Sequence, residues 1–293
     1  MIHTHSRRAL SAIVLVAAVG LMGAACSTPP GAPIPTKSVA FSADTVHVNN
    51  SQDEVCVLGI CANSNDEPYV LQIGFRVQLG LANSASVFTV GSRDNATGGI
   101  PAGGGATLTG AQKATANFAN VEAFDVGEAL NTANHLTVFG TYTWACEEDT
   151  IGIGTGLTGT ASVLKDVFNQ FLAGSSTALS GDANALASTI VNLIVSNIGS
   201  AFGVLLANIP TFGLGDDTLG GALYIGVGAT GLLGSAIDSA NASVPAINLL
   251  GDNQVPPKIV GGHIYSIAGN QNFTQTFNGA GGEHVYTFDS ALS

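Results

Sequence analysis

Residues 183–209 carry no charged side chain, and this stretch constrains the fold more than any other. Leu186, Ile190, Leu193, Ile194, Ile198, Phe202, Leu205 and Leu206 recur at helical spacing, and Pro210 ends the run. Such a helix is apolar nearly all round except along one narrow line of Ser188, Asn192, Ser196, Gly199 and Gly203. It has to be covered on most sides. One cover is burial between a preceding helix and a sheet. The other is a bilayer: the length suffices for a span, while Asn184, Asn192, Asn197 and Asn208 oppose insertion. A line of small groups also admits a second helix at close range.

The preceding helix is legible at 162–173. Val163, Leu164, Val167, Phe168, Phe171 and Leu172 share one face, Lys165, Asp166, Asn169 and Gln170 the other, and Gly174 is a stop. On both sides of this pair the period changes to two. Tyr69, Leu71, Ile73, Phe75, Val77 and Leu79 alternate with Val70, Gln72, Gly74, Arg76 and Gln78, which predicts a half-buried strand. Further strands are expected at 39–48, 86–90, 106–109, 114–118, 136–144, 222–227, 258–267, 272–277 and 284–288, the last two joined by a glycine-rich loop at 278–282. The order predicts a mainly β fold, an antiparallel β-sandwich with a helical insertion at about residues 160–209. A single domain at 38–293, closed by its N- and C-terminal strands, follows a signal segment at 1–25 and a tether at 26–37.

The leader is read from Arg7 and Arg8, the uncharged apolar run behind them, and Gly23, Ala24 and Ala25 at its end. Its apolar core of about 15 residues is short for a spanning helix. The stretch Leu21-Met22-Gly23-Ala24-Ala25-Cys26 resembles the lipobox of bacterial lipoproteins, with Gly23 where a leucine is usual. That resemblance implies lipidation of Cys26 and anchoring to a membrane; ordinary cleavage with release is the alternative. Ser6-Arg7-Arg8 faintly resembles a twin-arginine signal, but Leu10 and Ser11 replace its continuation, which favours general secretion. Pro29, Pro30, Pro33 and Pro35 make the next segment a spacer between a surface and a folded body.

Without Arg7 and Arg8, 20 acidic side chains face 6 basic ones, a net charge of about −14 that repels nucleic acid. Charged residues are 10% of the chain, against about 25% in ordinary soluble domains. The surface must therefore be built from Ser, Thr, Asn and Gly, as in secreted β proteins. If Cys26 is lipidated, Cys56, Cys61 and Cys146 remain as disulfide candidates, enough for one bridge and one thiol in an oxidising compartment. Cys56 and Cys61 would close a short loop, and either has Cys146 as an alternative partner.

Motifs for chemistry are sparse. Gly154-Thr155-Gly156-Leu157-Thr158-Gly159 has dinucleotide-binding spacing, but in a chain with 38 glycines it arises by chance about as often as not, and it reads as a flexible linker into the helix. Acidic side chains cluster at Asp53-Glu54, Asp66-Glu67, Glu147-Glu148-Asp149 and Asp216-Asp217. Of these, Asp216 and Asp217 loosely resemble the acidic loops of calcium-dependent β-sandwich modules, which makes calcium the candidate cofactor. His47, His135, His263 and His284 each sit beside apolar strand residues, which predicts sheet positions rather than a shared site. A Gly-x-Ser-x-Gly elbow and a His-Glu-x-x-His pattern are both missing from the sequence.

The expectation is an exported bacterial cell-envelope protein or lipoprotein, more a binding or structural surface module than an enzyme. It acts beyond the cytoplasm and meets a membrane through its N-terminus. A membrane-inserting or pore-forming envelope protein is the first competing reading, and an extracellular hydrolase the second.

Overall fold

Period-two segments form strands almost where the sequence places them. In chain order these are β1 (Thr36–Asn50), β2 (Glu54–Val57), β3 (Ile60–Asn63), β4 (Pro68–Gln78), β5 (Ser86–Val90), β6 (Gly105–Thr107), β7 (Ala116–Glu122) and β8 (Thr137–Glu147). After the helical region come β9 (Phe212–Gly213), β10 (Asp217–Val227), β11 (Gln254–Val255), β12 (Ile259–Ser266), β13 (Gln271–Gly279) and β14 (Gly282–Leu292). Among the described residues four α-helices join them: α1 (Val126–Leu130), α2 (Gly154–Phe168), α3 (Ala183–Asn208) and α4 (Gly231–Ala240). The computed structural model describes residues 33–51, 54–57, 60–63, 65–148, 154–174, 179–208, 212–213, 217–247 and 254–293.

Two five-stranded sheets pack face to face, one ordered β13-β14-β1-β6 with β7 also on β1, the other ordered β12-β10-β8-β4-β5. The first and last strands pair along their length, from Val39 opposite Leu292 to Asn50 opposite Glu283, so the termini close the sandwich as expected. One pair departs from the antiparallel expectation. β10 and β12 run parallel, because α4 carries the chain back to the end where it started. Across the turn between β13 and β14, Ala280 and Gly281 both have positive φ, the two-residue geometry that matches strand twist.

The second sheet is the middle of three layers. Tyr69, Leu71, Ile73, Phe75 and Val77 of β4 pack beneath the helices, while Val70 packs with Phe118 and Phe139 between the sheets. The alternation at 69–79 thus defines two buried faces rather than a wet and a dry one, and all eleven residues of β8 are buried. Polar Gln72 is tolerated inside because its Nε2 donates to the Ala114 carbonyl at 2.9 Å. Glycine makes room for rings in this crowded sheet. The ring of Phe88 lies over Gly74 and that of Phe139 over Gly226, each its register partner, and a Cβ on either glycine would fall inside the ring.

Two helix expectations are revised. Gly154 to Gly159 are not a linker but the first turns of α2 itself, where Thr160 Oγ1 donates to the Gly156 carbonyl at 2.7 Å. Helix α4 lies beyond the expected insertion, and it helps cover α3. Buried Leu186, Ile190, Ile194, Ile198, Phe202 and Leu205 make one inner stripe on α3, and Phe202 meets Tyr142 of the middle sheet edge-on with centroids 5.2 Å apart. Ser188, Asn192, Ser196 and Gly199 face outward. The helix is therefore covered on its inner side by sheet and neighbouring helices and open along the small-residue line.

Candidate functional site

Strand register fixes the molecule's two ends. At one end, the entry pole, the chain enters β1, and β4, β10 and β14 finish there, close to the first residue of β8; Lys37 Nζ donates to the Ile267 carbonyl at 2.7 Å across it. At the other, the far pole, β4 begins beside the end of β8, with Pro68 opposite Glu147 and Asp217 of β10 opposite Glu147 on its other side. Described members of three of the acidic clusters seen in the sequence, Glu67, Glu147 and the backbone of Asp217, therefore meet at the far pole. There the backbone N–H of Glu67 lies 3.5 Å from Glu147 Oε1, and Arg93 pairs with Glu148 at 3.1 Å.

Inside this pole Asp66 and His284 form an ion pair. His284 Nε2 lies 2.7 Å from Asp66 Oδ2, and both side chains are 0% exposed. Ser51, just past the end of β1, donates its hydroxyl to Asp66 Oδ1. The carboxylate is held in place by its own backbone, since Asp66 and Ile100 exchange hydrogen bonds of 3.1 and 2.7 Å. Nearby, the phenol of Tyr286 is pushed well above its usual pKa by burial, and further by the charges of Cys146 and Asp66.

Serine, aspartate and histidine together suggest a catalytic relay, but the order is wrong for one. In such a relay the imidazole stands between hydroxyl and carboxylate, so that it takes the hydroxyl proton. Here the carboxylate stands in the middle and accepts from both sides, so His284 is not hydrogen-bonded to the Ser51 oxygen. Full burial also bars a substrate. The arrangement acts as a tie: it fastens the segment leading into β4 to β14, 218 residues away.

The remaining candidates are dispersed. His47 is exposed on β1; His135 precedes β8, with Nδ1 3.1 Å from the Leu79 carbonyl; His263 lies on β12, stacked 5.1 Å from Phe273. Three thus stand on strands and His135 in a loop, and only His284 meets a carboxylate at ion-pair distance among the described residues. Asp216 and Cys26 lie outside the described residues, as does the side chain of Asp217. Among the described residues no group of three His, Cys, Asp or Glu side chains is placed to hold a metal ion. Cys146 is buried on β8, whereas the backbone register sets Cys56 directly opposite Cys61 in the β2–β3 hairpin, the arrangement that the short-loop pairing requires. No family model, curated protein or solved structure matches this chain.

Sequence reasoning named Asp66 and His284 separately and missed their union. No local signal joins residues 218 positions apart. The available hint was weaker: a histidine among alternating apolar residues on the last strand needs a buried partner.

Proposed function

We propose that this chain is an exported bacterial envelope protein, held to a membrane through Cys26, that presents a non-catalytic binding or structural surface. The observation that carries this reading is the Ser51–Asp66–His284 tie. Among the described residues, the constellation that contains hydroxyl, carboxylate and imidazole is consumed in fastening strands inside the fold. A leader that ends at Cys26 and a proline-rich spacer running into β1 support export and tethering. Cell fractionation followed by mass spectrometry of the mature N-terminus tests it. The expected product is a lipidated Cys26 in the envelope fraction; a cytosolic protein that retains Met1 overturns the reading.

A second reading rests on α3. Among the described residues Ala183–Leu205 is the one helix long and apolar enough to cross a bilayer. For a membrane-inserting protein this helix would have to leave the core and expose Leu186, Ile190, Ile194 and Phe202. Dye release from liposomes by the purified protein separates the two readings, since a surface module releases none.

A further inference from the structure

Exposed large apolar side chains are confined to one end of this molecule. Among the described residues they are Leu81 (39% exposed), Leu130 (38%) and Leu232 (59%). Leu81 sits in the turn after β4, its N–H donating to the Gln78 carbonyl at 3.2 Å. Leu130 closes α1 and Leu232 opens α4, two helices whose N-termini share the Asp125 carboxylate: Oδ1 accepts from Val126 N–H at 2.8 Å and from Leu233 N–H at 3.1 Å. All three leucines therefore stand at the entry pole. The incoming chain is fastened at the same pole, where Ala123 N–H donates to the Pro35 carbonyl at 2.8 Å and Thr36 pairs with Glu122.

Single exposed leucines need no explanation. Three at the pole that the tether enters, in a body of strongly negative charge, do. The loops that build this pole, residues 79–85, 129–136, 228–237 and 267–270, contain no Asp, Glu, Lys or Arg. Its ionic side chains are turned to internal duties. Asp125 caps the helices, Glu128 accepts from the Asp125 N–H at 3.0 Å, Arg76 pairs with Glu122 at 2.9 Å, Lys37 holds the Ile267 carbonyl, and Asp238 in the last turn of α4 accepts from the Ser266 N–H at 2.7 Å. The far pole, by contrast, presents the partly exposed carboxylates Glu67, Glu148 and Glu283, with Arg93 paired to Glu148.

We infer that the entry pole is a membrane-docking surface, on which Leu81, Leu130 and Leu232 enter the boundary between headgroups and acyl chains. The occupant is a lipid bilayer, because the segment that precedes β1 leads to Cys26. The inference rests on the lipoprotein reading given above. Eight residues lie between Cys26 and Pro35, and the nine steps reach about 28 Å as polyproline II. The eleven residues of β8 span about 35 Å. The tether therefore keeps the entry pole near the bilayer and leaves an upright domain with its carboxylate-rich pole well clear of an anionic surface. Apolar side chains of this kind sink about 5–10 Å into the boundary, and a pole whose carboxylates are engaged inside the fold meets less repulsion there than one that presents them.

Tryptophan reporters test this in the full-length protein, purified from its membrane and reconstituted into vesicles of equal parts phosphatidylethanolamine and phosphatidylglycerol with acyl chains brominated close to the headgroup. Native Trp144 is fully buried and gives a constant background. Leu232→Trp and, as a second reporter, Leu130→Trp are compared with Ala102→Trp, an exposed position in the loop that bonds to Val48 near the far pole. Bromine quenching about twofold or more stronger at both leucine positions than at position 102 is the expected result. A lipidated protein with equal quenching at all three positions overturns the docking and leaves the anchor standing. An unmodified N-terminus overturns both.

Discussion

The two poles close the same sandwich by opposite means. At the far pole strands are joined by a fully buried polar contact, Asp66 against His284, with the Ser51 hydroxyl on the second carboxylate oxygen. At the entry pole the closing contacts are half-exposed and borne by backbone: Arg76 donates to the Ala119 and Asn120 carbonyls at 2.9 Å each while pairing with Glu122, and Asp125 satisfies helix N-termini. A chain with few charged residues has buried one pair completely at one end and kept the charged groups of the other end half-exposed. Rigidity belongs to the first end and contact with a surface to the second.

The largest effect expected from this contrast is at the far pole. Removing either partner of this fully buried contact leaves the other buried polar group short of a hydrogen bond, which costs about 1–3 kcal/mol and more where the group is charged. Asp66→Ala and His284→Ala should each lower stability by that amount in urea unfolding. The apolar double variant Asp66→Leu with His284→Phe should be less destabilised than either single change, because neither partner is then left buried without the other. Additive losses in the double variant would mean that the two residues act independently, and the tie would no longer distinguish this pole.

Much of the frame behind this prediction was legible. Tyr69 to Leu79 alternate because β4 is a strand, and Gly174 ends the helical run that 162–173 announces. What escaped was whatever depends on a third layer. Val70 and Gln72 read as a solvent face because alternation records two faces and not what covers each; β1 and β7 cover that one. Helix α4 was missed for a related reason. Gly231, Gly234 and Ser235 are poor helix formers, and the helix is held instead by Leu233 and Ile237 in the core and by Asp125 at its start. The Asp66–His284 tie is further removed still, since its partners are 218 positions apart and both neighbourhoods look like ordinary strand ends. The exposed leucines could not be separated from buried ones by sequence alone: Leu232 is open and its neighbour Leu233 fully buried.

A smaller effect is expected at the entry pole. Arg76→Ala breaks one ion pair, whose side chains are 28% and 26% exposed, and two hydrogen bonds to carbonyls that water then reaches. Partial exposure screens the charge and lets solvent replace the lost donors, so the loss should be about 1–2 kcal/mol. Urea unfolding beside the Asp66 variants makes the comparison direct. A loss at Arg76 equal to that at Asp66 would erase the energetic difference between the poles.

The smallest effect lies between the poles and concerns pH. His263 sits in the middle of β12, its ring stacked on Phe273 and, at 6.3 Å, on Tyr224. Burial lowers its pKa below the usual 6.5, since the low-dielectric contact with the rings disfavours imidazolium. The folded state therefore holds this imidazole neutral where the unfolded chain would protonate it. Between pH 6.5 and the lower folded value the unfolded chain binds more protons, so stability falls as pH drops through that window and is flat on this account above it. Half-exposure keeps the contribution small. Thermal unfolding of the native protein and of His263→Gln at steps from pH 8 to pH 5 isolates it, because the two proteins differ only at this side chain. The native curve should fall more steeply below pH 6.5. Parallel curves would instead place the acid sensitivity of this fold at its poles, with none arising from the aromatic interior that joins them.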